Sequence, residues 1–112
     1  MHLINPPKLE TMKDGRKSIY LNAACSWSSF EQFGDELVSY VPDITVTKKT
    51  GSVCEHWWFF TYAGKELRMI YDEWPIEGVW LEGKSPNDDA AVSSLWEEIQ
   101  KLEFKYPYNK RL

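Results

Sequence analysis

The stretch that most constrains the fold is residues 55–74, Glu-His-Trp-Trp-Phe-Phe-Thr-Tyr-Ala-Gly-Lys-Glu-Leu-Arg-Met-Ile-Tyr-Asp-Glu-Trp. Its first half is rich in aromatics, which fit a pleated, half-buried surface. Ala63-Gly64 breaks it with the residue type that accepts a positive φ. Its second half alternates: Leu67, Met69 and Tyr71 point one way, and Glu66, Arg68, Ile70 and Asp72 the other. These features predict a β-hairpin at the centre of an antiparallel sheet. A two-residue loop sets Phe60 opposite Leu67 and Trp58 opposite Met69 on a dry face. It sets Phe59 opposite Arg68 and Trp57 opposite Ile70 on a mixed one. A slip of one residue would exchange the faces.

The flanking segments supply the remaining layers. Residues 1–16 carry turn signals, Asn5-Pro6-Pro7 and Asp14-Gly15, and are expected to be irregular. Lys17 to Ala24 alternates as a strand, with Ile19, Leu21 and Ala23 inward and Tyr20 outward. Ser26 to Ser29 opens a helix, with Ser28 and Glu31 in capping-box spacing. Phe30, Phe33, Leu37, Val38 and Val41 form its apolar stripe, Gly34 allows a close approach to the sheet, and Pro42 ends it. Asp43 to Thr47 is expected as a strand, Lys48 to Ser52 as a loop, and Val79 to Glu82 as a short strand. Ser85-Pro86 starts a second helix, with Ser at the N-cap and Pro at the first helical position. Val92, Leu95, Trp96, Ile99 and Leu102 form its stripe. Residues 105–112 show no periodicity and are also expected to be irregular.

The predicted order is β-α-β-β-β-β-α. Two one-sided helices call for an α+β two-layer sandwich, with about five antiparallel strands and both helices on one face. At 112 residues and 43% hydrophobic content the chain is long and apolar enough for one domain with a proper core. The other sheet face is then left to Tyr20, Trp57, Phe59, Arg68 and Trp80. Large apolar patches rimmed by polar groups mark interaction sites, so Trp57, Phe59, Arg68 and Tyr20 are candidates for a self-interface.

Chemical motifs are sparse. Cys54 and His56 lie one residue apart, and Cys25 or His2 could join them, but no second ligand pair has structural-zinc spacing. No metal or cofactor is expected. Neither cysteine has a Gly-rich elbow, no Gly-rich loop precedes a helix, and no pair of carboxylates is singled out for glycoside chemistry. Both cysteines are expected to be reduced thiols in a cytoplasmic protein. No run is long and apolar enough for a membrane span, and the first residues lack a signal-peptide core.

Charge is more informative. The net charge is −4, and from Asp72 to Glu103 nine acidic residues stand against Lys84 and Lys101 alone. Such a field repels nucleic-acid backbones and attracts basic partners. Trp57, Phe59 and Trp80 could stack on bases, but Arg68 and Lys65 alone make no positive groove. No nucleic-acid or membrane partner is expected. Asp72 at one strand end, with Glu82-Gly83-Lys84 at the next, resembles the PD-(D/E)xK nuclease arrangement. That resemblance implies carboxylates holding Mg²⁺ and a Lys positioning water.

In size, charge and element order the whole chain resembles small acidic α+β proteins of bacteria that bind and block a partner, chiefly immunity proteins for polymorphic or contact-dependent toxins. The resemblance implies a non-enzymatic inhibitor of a basic protein such as a toxin nuclease. Its surface would combine carboxylates that steer association with aromatics that exclude water. The candidates are Asp72, Glu73, Glu77 and Glu82 with Trp74, Trp80 and Tyr71. A homodimer through the open sheet face is the competing expectation.

Overall fold

A computed structural model describes residues 7–21, 25–73 and 78–102. Strands β1 (Lys8–Thr11) and β2 (Lys17–Leu21) precede helix α1 (Phe30–Tyr40). Strands β3 (Thr45–Gly51), β4 (Glu55–Tyr62), β5 (Lys65–Asp72) and β6 (Gly78–Gly83) follow, then a 3-10 turn (Pro86–Asp88) and helix α2 (Asp89–Ile99). All six strands are antiparallel in one sheet of order β1-β2-β6-β5-β4-β3. The fold is α+β.

The central hairpin has the expected register. Phe60 pairs with Leu67, Trp58 with Met69, Phe59 with Arg68 and Trp57 with Ile70. Ala63 and Gly64 hold φ at 52° and 76°, the two positive values that match a hairpin loop to strand twist. Ile19, Trp58, Phe60, Leu67, Met69, Tyr71, Val79 and Leu81 share one core with Phe30, Phe33 and Leu37 of α1 and Val92, Leu95 and Ile99 of α2. Both helices therefore lie on one face of the sheet. Gly34 brings α1 down onto it, since a Cβ there would sit 2.7 Å from two ring atoms of Trp58.

Three local expectations are corrected. Residues 1–16 are not all irregular: Lys8–Thr11 is a sixth strand, joined to β2 by a turn in which Met12 N–H donates to the Arg16 carbonyl at 2.7 Å. The segment Lys-Leu-Glu-Thr has one apolar residue and no alternation, and it holds its place by pairing at the edge. Lys48 to Ser52 is not a loop through most of its length, because β3 runs to Gly51. A bulge lets Val46 pair with Phe60 and Lys48 with Phe59, leaving Thr47 as the extra residue. Lys49 then lies 3.9 Å over the Trp58 ring, and Lys48 5.9 Å from that of Phe59, so lysines that read as a solvated loop cover aromatics. The bulge and these lysines also guard a long edge strand. Finally, α1 begins at Phe30, and its N-cap Ser29 makes no side-chain cap bond. Ser26 and Ser29 satisfy one another instead: Ser26 N–H donates to Ser29 Oγ at 2.8 Å and Ser29 N–H to Ser26 Oγ at 3.2 Å. Ser85 caps the 3-10 turn that precedes the second helix, with Asn87 N–H donating to Ser85 Oγ and Asp88 completing the box, while α2 itself starts only at Asp89 and its N-cap Asp88 makes no side-chain cap bond.

The far end of β4 is tied to α2 by Tyr62, whose hydroxyl donates to Glu98 and lies 2.9 Å from Ser94 Oγ. Burial, then Glu98, raise the Tyr62 pKa above the ordinary tyrosine value. A raised folded-state pKa gives stability that is present below the unfolded value, about 10, and is lost as pH rises through the folded one. Tyr62→Phe is expected to cost about 1 kcal/mol at neutral pH and to flatten the loss of stability on the alkaline side. Urea midpoints measured at neutral pH and above the tyrosine range check both.

Candidate functional site

The face away from the helices carries the concentrated chemistry. Strand pairing lays its side chains in two rows. One runs Lys8, Tyr20, Trp80, Ile70, Trp57, Thr50 across β1, β2, β6, β5, β4 and β3. The other runs Glu10, Ser18, Glu82, Arg68, Phe59, Lys48 in the same strand order. Among the described residues no helix packs on this face. Ile70, although only 1% exposed, is not part of the core that the helices share. Tyr20, Trp57, Phe59 and Trp80 are all half-buried.

At its centre Glu82, 5% exposed, is held by three donors. Trp80 Nε1 donates to Oε1 at 2.8 Å, while Arg16 and Arg68 donate to Oε2 at 2.5 and 2.6 Å. Arg16 also donates to the Gly83 carbonyl at 2.8 Å and to Asp14 at 2.7 Å. The result is a chain of alternating charge, Asp14–Arg16–Glu82–Arg68, that compensates itself. Burial opposes the Arg16 charge, but Asp14 and Glu82 outweigh it and raise its pKa. The Asp14 carboxyl is lowered, chiefly by the Arg16 backbone N–H. The Arg68 guanidinium lies 5.5 Å from the centre of the Trp57 ring, which is stacked 6.4 Å from Phe59. Its Nε is buried and has no partner among the described residues. Beside this cluster Glu10, Met12, Ser18, Tyr20, Trp80 and Glu82 line a pocket of about 270 Å³.

The expected acidic rim is not one exposed surface. Glu82 is buried and neutralised. Asp72 is 8% exposed and pairs with Gly78 at the other end of the same face. Tyr71, expected as an aromatic contact, is 2% exposed in the core, 5.7 Å from Phe30. It shares the phase of Leu67 and Met69, so the alternation that places those inward places it inward too. Glu73 is exposed. Trp74 and Glu77 lie outside the described residues. The self-interface candidates Tyr20, Trp57, Phe59 and Arg68 do share a face, together with Trp80.

The nuclease-like residues do not converge. Asp72 is level with Gly78, and Glu82 is four residues further along β6, about 13 Å at 3.3 Å per residue. Lys84 is exposed and pairs with Glu66 at 3.0 Å. Among the described residues no three His, Cys, Asp or Glu side chains are grouped to hold a metal. His56 Nε2 donates to the Trp27 carbonyl at 2.7 Å, and its ring lies 4.6 Å from that of Trp27 and 5.0 Å from that of Phe30. Both cysteines are free, and burial pushes the Cys25 thiol up to about 12, so it is protonated and a poor nucleophile at neutral pH.

Arg16 was the residue that sequence reasoning missed. It follows the Asp14-Gly15 turn, but only the pairing of β2 with β6 brings it to Glu82. The helices carry a second charge feature: all of their charged residues (Glu31, Asp35, Glu36, Asp89, Glu97 and Glu98) are acidic. No helix among the described residues is long and apolar enough to cross a membrane.

A family model described as "Protein of unknown function (DUF3630)" matches residues 8–99, from β1 to the end of α2. No curated protein and no solved structure matches the chain.

Proposed function

This chain belongs to the DUF3630 family, and from its geometry we propose that it is a non-enzymatic protein-binding domain that docks its partner on the aromatic sheet face. The observation that carries the reading is the set of four half-buried aromatics, Tyr20, Trp57, Phe59 and Trp80, on the face that no described helix covers. Aromatic and Arg side chains dominate binding energy at interfaces. The charge at the centre of the face is compensated internally, so covering it strands no lone ion. The two free thiols fit a reducing, cytoplasmic setting. Trp57→Ser is expected to weaken capture of a cognate protein at least roughly tenfold while leaving the thermal midpoint within a few degrees of wild type. Equal affinity of wild type and variant, measured by titration calorimetry, would sink the assignment of this face.

The acidic helices favour a second reading, an inhibitor of a basic protein of the toxin-immunity kind. Glu31, Asp35 and Glu97 are exposed there and would steer such a partner. Reversing them to lysine is expected to slow association at low salt with little change at high salt. An unchanged association rate discards the inhibitor reading.

A further inference from the structure

We infer that the occupant of the aromatic face is a second copy of this chain, packed sheet to sheet about a two-fold axis parallel to the strands between β6 and β5. The inference rests on the protein-binding reading above and names its partner. Such an axis keeps each row level and reverses the strand order, so that β1 faces β3, β2 faces β4 and β6 faces β5 of the other copy. Applied to the observed register, it sets Tyr20 against Trp57, and Trp80 against Ile70. In the second row it sets Glu82 against Arg68 and Glu10 against Lys48. Every acid of that row meets a base, at the centre and at both edges, and no like charges oppose each other.

The acidic helices of both copies point outward, away from the interface, where their repulsion is weakest. Aligned sheets pack about 10 Å apart, a gap that long side chains such as Glu10 and Lys48 can span. At about 3.3 Å by 4.8 Å per residue the sheet offers roughly 600 Å² per copy, the low end of stable interfaces. A reversible dimer with micromolar dissociation is expected.

The experiment is sedimentation equilibrium of the full chain over a micromolar concentration series. Four variants are run beside wild type: Trp57→Ser, Glu10→Lys, Lys48→Glu and the Glu10→Lys, Lys48→Glu double exchange. Glu10 and Lys48 are exposed edge residues, and circular dichroism confirms that each variant is folded. Wild type is expected to dimerise, Trp57→Ser to weaken the dimer at least tenfold and each single charge reversal several-fold. The double exchange is expected to restore wild-type affinity. A dimer indifferent to all four changes uses another surface and overturns the inference. A monomer at every concentration also overturns it, and acrylamide quenching of the tryptophans then separates the two readings. If quenching shows Trp57 and Trp80 reachable, the face stays open to another protein. If they are shielded in the monomer, the protein-binding reading of this face fails as well.

Discussion

Replacing Glu82 by alanine is expected to destabilise the protein by about 3 kcal/mol, the largest effect of any single change on the sheet face. The carboxylate is 5% exposed and accepts from Arg16, Arg68 and Trp80. Removing it leaves two guanidiniums side by side with, among the described residues, only Asp14 to offset them, and an indole N–H that has lost its acceptor. The cost sits at the low end of the range for breaking a buried pair because Arg16 and Arg68 keep 15% and 23% side-chain exposure. Glu82→Gln should fall between wild type and Glu82→Ala, since the amide oxygen still accepts but carries no charge. Urea unfolding with an unchanged slope measures the difference. A loss below about 1 kcal/mol would mean that water replaces the carboxylate and that the cluster does not hold β2, β5 and β6 together.

Gly34→Ala is expected to destabilise by about 2 kcal/mol, against the sign of helix propensity. In a free helix the change would be worth about 1 kcal/mol in the stabilising direction. Here the new methyl would sit 2.7 Å from two ring atoms of Trp58 and 3.2 Å from the Met69 methyl. Trp58 is 1% exposed and has no room to retreat, so either α1 lifts from the sheet or the ring leaves its rotamer. A thermal midpoint equal to or above that of wild type would show that the helix lifts at no cost.

These two sites differ in how far the sequence announces them. Gly34 can be suspected from its place in an apolar stripe, and the hairpin register follows because Ala63-Gly64 and the alternation on both sides agree. Local rules sufficed where pattern and turn chemistry pointed the same way. They failed at Lys8–Thr11 and Lys48–Gly51, charged edge segments whose strand conformation comes from a neighbour. They failed again at the Glu82 cluster. Arg16 ends the β1–β2 turn, Arg68 lies in β5 and Glu82 in β6, and their meeting depends on long-range pairing that no local period encodes. Glu82 therefore read as a free surface acid when its charge is already spent within the molecule. Tyr71 was legible in phase, and only its aromatic character drew it into the expected rim.

The strand order has a consequence for how the chain is made. Strands β3 to β6 are neighbours in both sequence and space, but the β1–β2 hairpin joins the sheet through β6, with Ser18 opposite Glu82. A ribosome adding about 5–20 residues per second releases β2 roughly 3–12 s before its partner strand exists. Through that interval the β1–β2 hairpin is an unfinished piece waiting for β6. Nascent chains halted before residue 78 should leave residues 8–21 open to protease, with protection appearing only once β6 has emerged.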